Sequence, residues 1–389
     1  MWHFSKTHPL NADDNANTQE EKSVALSNEK FSRKLYHLLR IKNQNLVFSP
    51  FSISTVMAML STGARGKTLE EIKKGLFFPP SPTLQVGYKS IIPTLRSTDD
   101  FTIKTANKLF IKKDFSILRK FQQILSRSFQ SSIQEIDFGD PKSAANEINN
   151  WVEDKTREKI RDLILPDMID QNTRLVLINA LYFKSNWAKK FDKAKPMKFH
   201  ISPTSSIEVP MMKKSEDVFH AKLHTLSSTM VELPYKGGRV VMQILLPNTN
   251  FGLEDLEDKL KDVDIQKLFE KEHRKTTVSI GLPKFKQETT IQLNENLKKL
   301  GLKKMFSSMA DLSGIDGGRT LYVSQVVQKA LVEVDEEGTV AAAATAVQIN
   351  TRSAWRSFEF MADHPFIFFL RDKHSGILLF QGRVINPLK

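Results

Sequence analysis

The stretch "SQVVQKALVEVDEEGTVAAAATAVQINTRSAW", Ser324–Trp355, decides how this 389-residue chain is read. Its first part is apolar and β-branched, the pattern of a buried strand. Past Glu336 the character changes. Gly338 and Thr339 lead into four alanines, Ala341, Ala342, Ala343 and Ala344, and then a polar segment ending in Arg352–Ser353, a bond that trypsin-like proteases favour. Alanine is the best helix former, so a helix is one reading of the run. A strand is the other. Thr339, Ala341, Ala343, Thr345, Val347 and Ile349 alternate along the segment, small and then aliphatic, and suit a buried face. The intervening set, Val340, Ala342, Ala344, Ala346, Gln348 and Asn350, turns polar and suits a solvated face. No proline from 338 to 353 would remove a ladder donor, and Gly338 leaves the backbone free to hinge. Such a segment can rest outside a sheet and later pair as a strand within one.

Outward from this stretch, the chain is 40% apolar and 26% charged, ordinary for a globular protein. No apolar run approaches the roughly 18 residues that a membrane helix needs. The absence of cysteine excludes disulfides, zinc–thiolate sites and thiol nucleophiles. Met1–Lys22 is polar, without the apolar core of a signal peptide, and there is no Asn-x-Ser/Thr sequon. Lys and Arg exceed Asp and Glu by 57 − 44 = 13. The surplus gathers at residues 30–42, 101–130 and 184–198, and such fields attract polyanions unless they are simply solvated surface.

Before the decisive stretch, "EKFSRKLYHLLRIK" (29–42) places Phe31, Leu35, Leu38 and Leu39 on one helical face. "NLVFSPFSISTVMAMLSTGA" predicts a short strand and a buried helix. "TLEEIKKGLFF" predicts a helix opened by a capping box of Thr68 and Glu71. "SAANEINNWVEDKTREKIRDLI" reads as an amphipathic helix, and "RLVLINALYFKSNW" as a buried strand. Antiparallel strands follow, with a turn at Gly237–Gly238. Helices early and long strands late predict one α+β domain, from about residue 28 to 389, behind a polar flexible extension at 1–27.

Side-chain catalysis finds little support. "STGARGKT" lacks the first glycine of a phosphate-binding loop, because Ser61 stands there. His220 and His224 lie four apart in strand-like sequence without a third ligand, the pattern of a surface pair, so no metal site is expected. The tryptophans are too scattered for a nucleic-acid stacking platform.

"NLVFSPFSIS", "VLINALYFKSNW", "LPKF", "KALVEVDEEGTVAAAA" and "DHPFIFFLRDKHSGILLFQGRVINP" together resemble the serpins, in family order and spacing over nearly the whole chain from about residue 28. The likeness is to secreted invertebrate members. It implies a three-sheet α+β fold with about nine helices and an exposed reactive loop at about 336–358. It further implies an inhibitor rather than an enzyme. A protease cuts the loop, forms an acyl-enzyme, and is carried away as the loop inserts into the central sheet. Counting the family's usual loop length from Glu336 lands on Arg352, so the resemblance makes Arg352–Ser353 the reactive bond, with Arg356 as second choice. The hinge is Glu336, Gly338, Thr339 and Ala341–Ala344, small as in inhibitory members.

By matched motif, Lys284 and Glu336 correspond to a salt bridge where insertion begins, and Trp187 to the buried tryptophan beneath it. Ser49, Ser52 and Asn179 correspond to a polar cluster under the sheet centre. Many members complete that cluster with histidine; this chain has Gln328, which does not titrate near neutrality. Some members are accelerated by heparin-like glycosaminoglycans. The family's best-known heparin helix, near residues 83–97 here, offers only Lys89 and Arg96, so Lys112, Lys113, Arg119 and Lys120 are the first candidates. The resemblance thus implies an extracellular monomer, its signal peptide removed, with a trypsin-like serine protease as covalent partner. It needs no cofactor, and binds neither nucleic acid nor membrane. The alternative is a non-inhibitory serpin that carries a ligand or acts as a chaperone.

Overall fold

The computed structural model describes residues 18–95, 97, 101–337 and 358–389. Arg352, Ser353, Gly338, Thr339 and Ala341–Ala344 lie outside the described residues, as do Arg356 and all of 1–17. The described residues form ten α-helices: α1 Gln19–Leu39, α2 Pro50–Gly63, α3 Gly66–Gly75, α4 Ser81–Thr94, α5 Arg119–Phe129, α6 Pro141–Thr156, α7 Leu253–Lys259, α8 Ile265–Glu272, α9 Asn294–Lys299 and α10 Ser313–Asp316. The strands are β1 Leu46–Phe48, β2 Phe101–Lys112, β3 Ile133–Ile136, β4 Leu175–Ser185, β5 Lys195–Ser202, β6 Ser205–Leu223, β7 Ser228–Pro234, β8 Val240–Pro247, β9 Arg274–Pro283, β10 Phe285–Gln292, β11 Gln325–Val334, β12 Phe358–Met361, β13 Phe366–Asp372 and β14 Leu378–Val384.

The α+β expectation holds, but the strands make two hydrogen-bonded sheets rather than three. One has five strands in the order β10-β11-β4-β2-β3; the other has nine, along β1-β14-β13-β8-β7-β6-β9-β12 with β5 on β6. The reason is β6. Its 19 residues are long enough to pair with β5 over Ser205–Met211, with β9 over Met211–His220 and with β7 over Phe219–Leu223, joining two layers into one network.

The five-stranded sheet is covered on both faces, which explains the unbroken apolar run of β4. Its alternation sends Leu175, Leu177, Leu181 and Phe183 into the larger core and Val176, Ile178, Ala180 and Tyr182 into a second cluster beneath α6. In the middle, β11 and β4 pair in parallel over eight residue pairs, from Gln325↔Val176 to Val332↔Phe183.

Several boundaries differ from expectation. α1 begins at Gln19, not near 28, because Thr18 and Glu21 form a reciprocal capping box and Val24 is buried. Residues 18–27, expected to belong to a flexible extension, are instead the N-cap and first turns of this helix. Thr68 and Glu71 make no capping box: α3 starts at Gly66, Thr68 Oγ1 accepts from the Asp311 amide at 2.9 Å, and Glu71 accepts from the amides of Lys303 and Lys304. α6 stops at Thr156 instead of continuing to Ile164. Arg157 and Glu158 turn to positive φ, and Asn149 Oδ1 takes the amides of Leu163 and Ile164 at 3.0 and 2.9 Å, folding the chain back along the helix. The turn between β7 and β8 is as expected, with Gly237 and Gly238 at φ of 75° and 68°.

Candidate functional site: the centre and upper end of the five-stranded sheet

Three polar side chains cross the sheet in register. Asn107 of β2 pairs with Asn179 of β4, and Asn179 with Gln328 of β11. Alternation turns all three to the face packed by α2. Around them that face is mostly apolar, with Leu109, Leu177, Leu181, Val326 and Ala330, so each buried amide must find partners there. The N-terminus of α2 supplies them. Gln328 Oε1 accepts from the Ser49 amide, and Gln328 Nε2 donates to the Ser49 carbonyl, both at 3.0 Å. Gln328 Nε2 also donates to Asn179 Oδ1, and Asn179 Nδ2 to Ser52 Oγ. Ser52 Oγ and Asn179 Nδ2 both donate to Asn107 Oδ1, at 2.8 and 2.6 Å. Ser49 Oγ caps α2 by accepting from the Ser52 amide at 3.1 Å. Ser49, Ser52, Asn179 and Gln328 are all 0% exposed. The network therefore clamps β2, β4 and β11 to one helix end, with no titratable member.

Sequence matching brought Ser49, Ser52, Asn179 and Gln328 together correctly and missed Asn107. The alternation of "FTIKTANKLFI" carried the missing signal: it places Asn107 on the same face as Ile103 and Leu109.

At the upper end, Trp187 is 3% exposed and stacks on Tyr235, ring centroids 4.2 Å apart and 9° from parallel. Its Nε1 donates to the Asp335 carbonyl at 2.9 Å, and its amide to the Glu337 carbonyl at 3.2 Å. The end of β11 is thereby tied to the chain leaving β4. Glu336 adds to this. Its carbonyl accepts from the Phe191 amide at 3.0 Å, one carboxylate oxygen accepts from the Ala194 amide at 3.1 Å, and the other lies 2.7 Å from Lys284 Nζ. Partial burial opposes ionisation of Glu336, but the hydrogen bond from Lys284, backbone amides and the Lys284 charge hold its carboxyl below the ordinary value. Lys190 pairs with Glu337.

Lys214 lies under this knot, nearly fully buried, 4.5 Å from the Phe191 ring centre and 5.2 Å from that of Trp187. Burial pushes its ammonium below the usual lysine range, although Glu216 at 2.6 Å works the other way. Sequence reading missed Tyr235, Phe191 and Lys214, whose positions depend on how distant strands meet.

The segment 338–357 leaves β11 in the five-stranded sheet and rejoins the chain at β12, an edge strand of the other sheet. β12 pairs in parallel with β9 over Phe358–Met361. The Phe358 ring stacks on His220, centroids 4.3 Å apart and 15° from parallel. The expected surface pair of histidines is thus wrong for His220, which is 2% exposed, its Nε2 within 2.8 Å of Thr276 Oγ1. Only His224 is at the surface.

A two-sheet α+β frame, a central parallel strand pair over a buried polar clamp, and a connection between the sheets starting at that pair are accompanied by a family match. Residues 26–387 fit the model for Serpin (serine protease inhibitor). The chain belongs to the serpin family. It is 36% identical to human Serpin B3, over 94% of this chain and 100% of that one. Among solved structures, Serpin48 of the insect Tenebrio molitor superposes with a TM-score of 0.86 at 36% identity, covering 95% of this chain and all of that one. Native protease nexin-1 with heparin superposes at 0.84 and 30% identity, covering 94% and 100%. Serpins are protease inhibitors, not enzymes, and form complexes with target serine proteases.

The basic candidates of this serpin lie at one corner, at the end of β2 and the start of α5. Lys113, Arg119 and Lys120 are exposed. Lys112 is partly committed: its Nζ donates to the Gln171 carbonyl at 3.0 Å and lies 3.8 Å from Asp114.

Proposed function

We propose that this serpin is an irreversible, suicide-substrate inhibitor of a trypsin-like serine protease, cut at Arg352–Ser353. One observation carries the reading. The two central strands, β4 and β11, run parallel, and the 338–357 segment begins directly beyond β11. A strand that turns back at Gly338 and enters between them is antiparallel to both. One parallel interface, the weaker kind per residue, is replaced by two antiparallel ones. The alternation from Thr339 to Ile349 suits such a strand, since its small leading residues can enter a packed sheet without clashes.

Arginine at the bait position pairs with a carboxylate at the base of a trypsin-like pocket through charge-assisted, bidentate hydrogen bonds. The protease serine attacks the Arg352 carbonyl carbon, the Arg352–Ser353 bond breaks, and the amine of Ser353 leaves. Insertion then carries the acyl-enzyme to the far end of the sheet. Distorting the catalytic centre by about 1 Å is enough to slow deacylation roughly 100-fold. The Trp187–Asp335–Glu336–Lys284 contacts hold the point of entry shut, and the Asn107–Asn179–Gln328 clamp holds the middle. The native form is then a kinetic trap.

Likeness to protease nexin-1, solved with heparin, supports a heparin-like glycosaminoglycan as activator at Lys113, Arg119 and Lys120, with Lys112 as a weaker contributor. No cofactor is required. The reading places the inhibitor outside the cell, where sulfated glycosaminoglycans and trypsin-like proteases meet, and as a monomer.

The test is a denaturing gel after mixing with trypsin. A covalent band near the summed masses is expected, absent after Arg352→Ala and replaced by clipped chain after Thr339→Arg. A wild-type chain that is only clipped would overturn the inhibitory reading in favour of a carrier or chaperone. For the activator, neutralising Lys112, Lys113, Arg119 and Lys120 together is expected to lower heparin-column affinity; unchanged retention would rule the corner out.

A further inference from the structure

Between the end of β4 at Ser185 and the start of β5 at Lys195, the chain crosses from the five-stranded sheet to the nine-stranded one. On one side this crossing grips the exit of β11. The amides of Trp187 and Phe191 donate to the carbonyls of Glu337 and Glu336 at 3.2 and 3.0 Å, and that of Ala194 donates to the Glu336 carboxylate at 3.1 Å. These contacts join the continuations of β4 and β11. A strand entering between the two from that end must break all three.

The other side of the crossing is held by β6. Alternation along this strand buries Met212, Lys214, Val218 and His220 and exposes Lys213, Ser215 and Asp217. Lys214 thus occupies a position that calls for an apolar side chain, opposite the buried Ile280 of β9. A lysine is almost never buried so far unless it is paired. Its Nζ is committed three ways. It donates to the Lys189 carbonyl at 2.9 Å, lies 2.6 Å from a carboxylate oxygen of Glu216, and sits 4.5 Å from the Phe191 ring centre. Lys189 reciprocates, its own Nζ donating to the Ser215 carbonyl at 2.7 Å. The Asp192 amide adds a bond to the Lys213 carbonyl at 2.8 Å. The crossing is therefore pinned to β6 through residues 189–192 and 213–215, and Lys214 is the buried one of the two lysines that do so.

We propose that Lys214 is a positioning residue for loop insertion. It fixes the 186–194 crossing against β6, so that the donors at Trp187, Phe191 and Ala194 stay aimed at Glu336 and Glu337 and strand entry is slow. The reason is geometric. The three donors grip 336–337 together only while the crossing keeps one shape. A charge-assisted bond from a buried ammonium to the Lys189 carbonyl holds that shape more firmly than apolar packing alone, because the surrounding dielectric is low. The pinning stands on contacts of the native chain; its consequence for insertion rests on the inhibitory reading.

Hydrogen exchange of the intact protein tests the pinning, and loss of trypsin-inhibitory titre on incubation at 37 °C tests the consequence. Lys214→Met keeps an apolar stem against Phe191 and removes the ammonium. It is expected to quicken exchange of the Phe191 and Ala194 amides about tenfold, the effect of losing one charge-assisted hydrogen bond, while the amides of β13 keep their rates. The titre is expected to decay about tenfold faster. Adding Glu216→Gln separates pinning from mere neutralisation of Glu216, and the double variant is expected to exchange as fast as Lys214→Met. Lys189→Met, at a partly exposed position, removes only the bond to Ser215 and is expected to act in the same direction. Unchanged exchange in both single variants, a return to the parental rate in the double variant, or equal quickening in β13 would each overturn the pinning. Quicker exchange with unchanged decay of the titre would overturn the role in insertion. The two readings fail separately: a parent chain that trypsin only clips removes the inhibitory reading, and the role in insertion with it, while exchange still decides the pinning.

Discussion

Asn179 is the residue on which the sheet centre most depends. Changing it to alanine leaves Gln328 Nε2 and Ser52 Oγ each short of a partner in a dry site, at a cost of about 1–3 kcal/mol. Because the clamp holds β2, β4 and β11 together, Asn179→Ala is expected to lose inhibitory activity faster on incubation at 37 °C, measured as residual trypsin titre over days. At the upper end, Tyr235 Oη is buried without a partner among the described residues. Tyr235→Phe keeps the stack on Trp187 and removes that unpaired hydroxyl, so the denaturation midpoint should stay level or rise. A clear fall in the midpoint would mean that the hydroxyl has a partner.

Glu336 and Lys284 give a pH signature. The folded carboxyl titrates below the ordinary value of 4.5, so the pair stabilises the fold fully above that value and loses its contribution as pH falls through the folded value. Both groups are partly exposed, at 21% and 37%, which limits the pair to about 1 kcal/mol or less. Lys284→Gln should therefore be less stable than the parent by a constant amount between pH 6 and 8. The difference should shrink below pH 4.5 in urea titrations.

At the scale of elements, β12 is a short edge strand that holds the far end of the 338–357 segment. Its attachment rests on four paired residues and on the stack of Phe358 against His220. Burial, Arg274 and Lys222 all lower the affinity of His220 for a proton. The unfolded chain thus binds a proton near pH 6.5 that the folded chain resists, and stability falls as pH drops below that value. Lys222, which also lies over the Phe358 ring, and Arg274 on β9 both repel the imidazolium. Amide exchange of Phe358–Met361 is expected to quicken relative to β13 between pH 7 and 5. His220→Gln should flatten that dependence while weakening the strand at all pH values. Equal acceleration in both proteins would remove His220 as the cause. By contrast, the clamp contains Gln328 and no titrating group, so pairing of β4 with β11 should show no such dependence.

For the whole molecule, the proposed insertion would convert a parallel pairing into two antiparallel ones, and the gain would appear as global stability. For a gain on the order of 10 kcal/mol, cleavage at Arg352–Ser353 is expected to raise the thermal midpoint by roughly 10 °C, at about 1 °C per kcal/mol for a chain of this size. Calorimetry of intact and cleaved protein checks it. An unchanged midpoint would mean that the cut segment stays out of the sheet.

The buried strands, the long helices and the family were legible because they rest on patterns between residues close in sequence. β4 shows how far that goes: its apolar run announced burial on both faces, and its alternation assigned a face to Asn179. Where local signals failed, a tertiary partner had taken the group over. Thr68 and Glu71 have the capping spacing, but their oxygens go to amides more than 230 residues away. His220 reads as a surface histidine until β12 closes over it. Trp187 was recognised by its motif, yet nothing nearby in the sequence indicates Tyr235 or Lys214 as its neighbours.

The sequence by itself determined the strand that leads up to Glu336, the small-residue alternation beyond it and the arginine that follows. Each is a property of residues one to four places apart, governed by backbone geometry that every chain shares. Only the tertiary structure decided that β4 and β11 lie side by side and parallel, and that Asn107 joins Asn179 and Gln328 over the end of α2. Those outcomes depend on which distant strands become neighbours. That choice is made by the burial of the whole core, not by any short stretch of it.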